Sequence, residues 1–555
     1  MSAASGASAQ HEQSAAPYAE ALAAHRDRDG LRFMIPGHAA GSAGGSERLR
    51  AFIGDRALAL DIPQLIEGID LGSDNAFDRA RQLAAEAWDA RTTWFLTNGA
   101  SQGNRMAMQA LSVLGDRVLV QRSCHSSVYD GLVMSGATPE YLFPESDPDH
   151  GVAHGITAAA AERALADAAA AGAPFAALVM VSPSYYGVVA DIPAVAAACR
   201  RYGAALIVDG SWGAHFGFHA DLPESPTRQG ADVVLSSIHK LGGSLTQTAF
   251  LHLCETQHAA VLEPAIDAAY RLTESTSLNS LLLASLDIAR SELATGQAEM
   301  GAALAAAAAL RELVTAAPGL RLSEPDFLTR PGAVEIDPLH VSIDVRGRGV
   351  TGPGLKTLLS RAAAPAFIEI ASPTTIVALI GPRATPDVAG LISAIDSVAP
   401  FRGGPDAAVG IRRPADTAVP AAPAASSARP GPGVRSAPPA AAPSEASTAA
   451  PASAPAVDPS AAPAAPPTAP PPGAQVCTPR QAYLAPSESI STRLAAGRVS
   501  AAMLAAYPPG IPNAVPGERL TPEMLDYLRE TARLPGSYIR GAADAAVEQI
   551  RVLIE

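Results

Sequence analysis

The chain is poor in cysteine, in aromatic side chains and in charge. Its four cysteines, Cys124, Cys199, Cys254 and Cys477, are scattered over 555 residues. No C-x-x-C pair or dense spacing appears, which excludes a disulfide-stapled scaffold and points to a reducing, cytoplasmic setting. Charged residues make up only 17% and the net charge is −14. The basic face that nucleic acid requires is therefore missing. An acidic balance attracts cationic small molecules weakly and keeps a protein in solution. Long apolar runs are missing too. The most apolar stretch, Gly301–Leu310, is nearly all alanine and soon meets Arg311 and Glu312. A membrane span needs about 20 strongly apolar residues, so this reads as a packed helix. The first twenty residues lack a basic region followed by an apolar core and do not read as a secretory signal. What remains is a 48% hydrophobic chain, long enough for several domains and a large core.

The stretch Ala231–Leu241, ADVVLSSIHKL, organises the rest. Its apolar run suits a strand buried on both faces of a parallel sheet. Ser236, Ser237, His239 and Lys240 then collect at the C-terminal end, where open α/β sheets bind ligands. A lysine there can form a Schiff base with a carbonyl cofactor, and the hydroxyl and imidazole before it can hold a phosphate. A solvated lysine after a strand is the plainer alternative. Upstream, Ala204–Asp209 reads as a second buried strand ending in a carboxylate. Such a carboxylate suits a pyridinium nitrogen; a helix cap or turn aspartate is the alternative.

Other strands are predicted at Thr92–Leu96, Arg117–Gln121 and Ala177–Val181, with an amphipathic helix over Ile192–Tyr202. This alternation marks a parallel sheet. In TNGAS (Thr97–Ser101), Gly99 permits a tight turn and Ser101 can open a helix running to about Leu114. The free N–H groups of that helix start, at Gly99, Ala100 and Ser101, make a phosphate site or an ordinary capped helix.

Seven motifs, FMIPGH (Phe33–His38), TNGAS, RSCHSS (Arg122–Ser127), SPSYYG (Ser182–Gly187), VDGSW (Val208–Trp212), SSIHK (Ser236–Lys240) and YPPGIP with PGE (Tyr507–Pro512, Pro516–Glu518), stand in one order. In that order they resemble the Orn/Lys/Arg decarboxylase family of fold type I pyridoxal-phosphate enzymes, from about residue 31 to 402 and again from near 475. The family usually has other residues where Ala39, Ala100 and Ser126 stand.

The resemblance implies an α/β fold: a large domain with a mainly parallel sheet (31–300) and a small α+β domain (301–402). A disordered Pro/Ala-rich linker (403–474) and a small C-terminal α+β domain (475–555) follow, after a partly disordered N-terminal segment (1–30). It implies pyridoxal 5′-phosphate on Lys240, ring contacts from Asp209 and His125, a phenolic-oxygen contact from Ser184, and Trp212 near the ring. Ser101, Ser237 and His239 hold the phosphate. Glu518 is the acidic residue assigned to a cationic substrate. A hydroxyl among Ser244, Thr246 and Thr248 can reach a phosphate across a homodimer interface, and His215 and His219 read as surface or interface residues. The implied activity is decarboxylation of arginine, lysine or ornithine, with polyamine biosynthesis as its setting and no metal. An aminotransferase, an oxidase or another amino-acid-modifying enzyme is the second reading, because one cradle serves several reactions. A non-catalytic binding protein is the third; it has no chemical need for Lys240, Asp209 and His125 together.

Overall fold

The computed structural model describes residues 12–28, 30–39, 46–401, 469–507, 510–533 and 538–554. The expected linker lies mostly outside the described residues, as do Pro508 and Pro509 of the YPPGIP turn.

Seven strands form the central sheet: β1 (Thr92–Leu96), β2 (Arg117–Gln121), β3 (Thr138–Leu142), β4 (Ala177–Val181), β5 (Ala205–Asp209), β6 (Val233–Ser236) and β7 (Ala249–Leu253). Their order is β1-β7-β6-β5-β4-β2-β3. Only β7 runs antiparallel to its neighbours; the other pairings in this sheet are parallel. The period of two explains the continuous apolar runs. Val118, Val120, Val179, Ile207 and Leu235 enter one cluster, while Leu119, Leu178, Met180, Leu206 and Val208 enter another. The covering helices are α1 (Gly99–Ala110), α2 (Ser126–Ser135), α3 (Ala158–Ala170), α4 (Ile192–Tyr202) and α5 (Ala259–Thr273). The first cluster takes side chains from α1, α2 and α5, the second from α3 and α4. At Gly103 of α1 a Cβ would overlap the Leu235 side chain, so glycine sets how closely this helix lies on β6.

Two expectations shift. The TNGAS helix begins at Gly99 and its α-helical part ends at Ala110, so Ser101 lies inside the first turn rather than opening it. The segment Leu272–Leu283, which by the family resemblance should start a long helix leaving the large domain, is instead broken: α5 stops at Thr273, and α6 (Ser280–Thr295) starts after Asn279, whose side chain accepts the Leu282 N–H. Ser275 and Glu274 bond the intervening backbone instead, the usual competition of short polar side chains with helix.

Helix α7 (Gln297–Ala316) leads to a four-stranded antiparallel sheet of β8 (Arg321–Leu322), β9 (His340–Asp344), β10 (Ile370–Ala371) and β11 (Thr375–Leu379), ordered β8-β9-β11-β10. Leu310 and Val314 of α7 share a core with Val341, Ile343 and Ile376 of that sheet. The C-terminal segment carries β12 (Ser487–Ser491), β13 (Leu504–Tyr507), β14 (Ile511–Ala514), β15 (Tyr538–Arg540) and β16 (Gln549–Leu553). Its helix, Pro522–Ala532, starts with Thr521 as cap and proline at the first position. No helix among the described residues is long and apolar enough to cross a membrane.

Candidate active site

Five parallel strands deliver the predicted residues to one edge of the sheet. Thr97–Ser101 follow β1, Arg122–His125 follow β2, Ser182–Ser184 follow β4, Asp209–Trp212 end β5, and Ser237–Lys240 follow β6. This is the edge at which open α/β sheets bind ligands.

The Lys240 Nζ lies 3.9 Å from the centre of the Trp212 ring. Burial pulls its amine down to about 8, against the opposing charges of Asp209 and Glu369. Tyr185 packs against Trp212 at 5.9 Å between ring centres, and His340 at 5.7 Å. The Trp212 Nε1 is buried and meets no protein acceptor, and neither does the buried Asn104 Oδ1 meet a donor. Buried polar atoms are rarely left so unless something else satisfies them.

Asp209 is buried and caps no helix. Its Oδ2 accepts from Asn104 Nδ2 at 2.9 Å and its Oδ1 from the Ser211 N–H at 3.1 Å. Asn104 Nδ2 also donates to Ser127 Oγ at 2.9 Å, and Ser127 Oγ lies 2.9 Å from His125 Nδ1. The Ser127 N–H points at the same nitrogen, so Nδ1 is the acceptor and the network assigns the ring proton to Nε2. Burial pushes His125 down to about 4; Lys240 and Arg540 press it lower, Asp209 and Asp130 oppose. His239 is pushed to about 4 by burial and by Lys240.

The remaining predicted residues divide. Gly99 adopts φ 74°, a left-handed value that favours glycine, and its N–H bonds the Gln247 carbonyl in the loop after Lys240. Ala100 is buried and Ser101 half-buried in the first turn of α1. Ser237 is buried and its carbonyl takes the Lys240 N–H at 3.0 Å. Ser184 Oγ accepts from the Tyr186 and Val188 N–H groups, each at 3.3 Å, so its acceptor capacity serves its own turn. Thr248 is buried against Ser244 and the Leu245 carbonyl, whereas Thr246 is exposed.

Two assignments need correction. Glu518 offers no free carboxylate to a cationic substrate in this chain. It is buried, pairs with Arg122 at 3.0 Å and accepts the Val515 N–H. His215 is not a surface residue: it is fully buried, 3.1 Å from Asp337, which also takes His340 Nδ1 at 2.7 Å. Its glycine-flanked, polar surroundings read as a loop, and its partner stands 122 positions away.

The sequence reading missed Asn104, Ser127, Glu369 and Arg540. A polar Asn104 among the apolar residues Met106, Ala107, Met108 and Ala110 was the local signal for the first, and Gln102, also buried on that helix, gave the same signal. Glu369 had none: it sits exposed before β10, and only the fold brings its charge to bear on Lys240.

A buried lysine, a carboxylate and an imidazole gathered at one edge of a mainly parallel sheet are the arrangement of an α/β scaffold of the fold type I kind. The family model "Orn/Lys/Arg decarboxylase, major domain" matches residues 16–339, and "Orn/Lys/Arg decarboxylase, C-terminal domain" matches 471–538. The chain belongs to the Orn/Lys/Arg decarboxylase family. It is 30% identical to an arginine decarboxylase of Bacillus subtilis over 98% of this chain and 99% of that one. With an arginine decarboxylase of Halalkalibacterium halodurans it shares 30% identity over 98% of each. A lysine decarboxylase of Francisella novicida has the same fold, with TM-score 0.71 and 17% identity over 97% of this chain and 81% of that one.

Proposed function

We propose that the chain binds pyridoxal 5′-phosphate through Lys240 and decarboxylates a basic amino acid, arginine, lysine or ornithine. The convergence of Lys240, Asp209 and His125 on one edge carries the reading. The choice of lysine is narrow, because the chain has two, Lys240 and Lys356. Lys356 lies on α8 (Gly352–Ser360), its Nζ on the Glu369 carbonyl. The residues present fit the cofactor. A depressed amine suits attack on a carbonyl, the orphaned Trp212 N–H offers a donor, and the start of α1 offers backbone N–H groups to a phosphate.

When bound, the cofactor supplies the electron sink that decarboxylation needs. The chain's own groups hold and orient. Asp209, fixed by Asn104 and Ser211, would place a negative charge against the ring nitrogen. His125, neutral and protonated at Nε2, would cover the ring. Ser101, Ser237 and His239 would reach the phosphate. Glu369, whose charge already bears on Lys240, is the carboxylate we assign to the substrate's cationic end, in place of Glu518.

We read the chain as a cofactor-binding body over 31–300, a small domain over 301–402, a linker over 403–474 and a C-terminal domain from 475; the C-terminal family match, which begins at 471, supports the last boundary, whereas the major-domain match runs from 16 to 339, across the boundary at 300. We also infer a homodimer, supported by the exposed apolar side chains of Leu31, Phe33, Ile35 and Phe52. A cytoplasmic location is supported by four unpaired cysteines. The test is incubation of purified protein and cofactor with each of the twenty amino acids, assaying carbon dioxide, keto acid and peroxide in parallel. Carbon dioxide from arginine, lysine or ornithine is the expected product. Keto acid or peroxide in its place would move the reading to an aminotransferase or an oxidase.

A further inference from the structure

The C-terminal domain reaches the corner of the site that holds His125. His125 is the cap residue of α2, and Ser126 and Ser127 form its first turn. Arg540, the last residue of β15, donates from Nη1 to Ser126 Oγ at 2.5 Å. Its Nη2 lies 3.6 Å from Asp130 Oδ2, one turn further along α2. Asp130 in turn takes Arg105 Nη2 of α1 at 2.8 Å. One carboxylate is thus shared between Arg105 of α1 and Arg540 of β15 in the C-terminal domain, which stands 410 positions after Asp130. Both helices it ties together point their N-termini at the sheet edge where the cofactor residues gather. The strand that carries Arg540 is itself set by pairing, with Ala505 of β13 opposite Arg540.

We propose that Arg540 is a positioning residue of the catalytic centre: through Ser126 and Asp130 it holds the first turn of α2, and so the His125 imidazole, in the place where it faces Lys240 and Asp209. This rests on the reading of His125 as part of the cofactor site. Among the described residues, the charged and titratable groups that bear on His125 are Asp209, Lys240, Arg540 and Asp130. Two are cations and two are anions, so removing Arg540 tips the balance towards the protonated ring.

The experiment follows hydrogen–deuterium exchange at the His125 imidazole C2 by mass spectrometry of its peptide, in the full cofactor-free chain, across acid to neutral pH. Wild type is expected to give a midpoint near 4. Arg540→Gln should raise it by about one unit, the scale of losing a nearby charge, and Arg540→Lys should keep most of the wild-type value. In the loaded enzyme, Arg540→Gln should lower kcat about tenfold with little change in KM, the signature of a displaced reacting group rather than lost substrate binding. Ser126→Ala removes the hydrogen bond without touching the arginine and should lower kcat in the same way, so the test survives if Arg540→Gln folds poorly. The Arg540→Gln, Ser126→Ala double variant should lose no more than Arg540→Gln alone. An unchanged His125 midpoint, or additive losses in the double variant, would overturn the proposal. If wild type never acquires the visible absorbance of lysine-bound pyridoxal phosphate, it is the cofactor reading that fails, and the midpoints still report on Arg540.

Discussion

Arg122 and Glu518 stand 396 positions apart and meet at 3.0 Å, with only 6% and 2% of their side chains exposed. Arg122 also donates to the Pro512 and Asn513 carbonyls, at 2.6 and 3.2 Å, and lies over the rings of Tyr129 and Tyr141. The pair therefore joins the end of β2 to the C-terminal domain. Removing one member of a buried pair strands the other charge, at a cost of about 3–5 kcal/mol. Glu518→Gln is expected to lower the denaturant midpoint and to open the C-terminal domain to limited proteolysis. KM for the basic substrate should stay close to wild type. A tenfold rise in KM with unchanged stability would return Glu518 to the substrate.

Lys240 has an amine near 8, so its free-base fraction grows as pH rises through that value. The rate at which the cofactor-free chain captures pyridoxal phosphate should rise with pH to a plateau, with its midpoint near 8. Glu369→Gln should move the midpoint down, because that carboxylate favours the ammonium form. Lys240→Ala should abolish both the visible absorbance and the borohydride-fixed adduct. A fixed adduct on Lys356 in the wild-type chain would overturn the assignment.

Glu369 is assigned to the substrate's cationic end. A hydrogen bond to a charged group is worth about 1.5–3 kcal/mol, which is roughly tenfold to a hundredfold in affinity. Glu369→Gln should raise KM for the basic amino acid by about that factor and lower kcat much less. Steady-state carbon dioxide release checks this. Equal losses in kcat and kcat/KM would place Glu369 at the reacting centre instead.

Asp209→Asn should keep the fold and lose about two orders of magnitude in kcat, the scale of removing a preorganised electrostatic partner. Asn104→Ala should fall between wild type and Asp209→Asn, because Asp209 keeps its Ser211 contact while losing one of two donors. Circular dichroism and turnover together separate the outcomes. Near-normal turnover in Asp209→Asn would mean that another group faces the ring nitrogen.

Five of the seven sheet strands, their ends and the residues at those ends were legible from the sequence, whereas β3 and the antiparallel β7 were not. Buried parallel strands are apolar on both faces, so β4, β5 and β6 stand out as runs, and Asp209 and Lys240 break them at the edge where ligands bind. The partners of those residues were not legible. Asn104 meets Asp209 across 105 positions, Glu369 bears on Lys240 from the residue before β10, and Glu518, read as a substrate contact, is claimed by Arg122. Local periodicity determines which element forms and which of its residues lie at the end. Which charge that end then faces depends on strand order, helix packing and the docking of the C-terminal domain, and these exist only once the whole chain has folded.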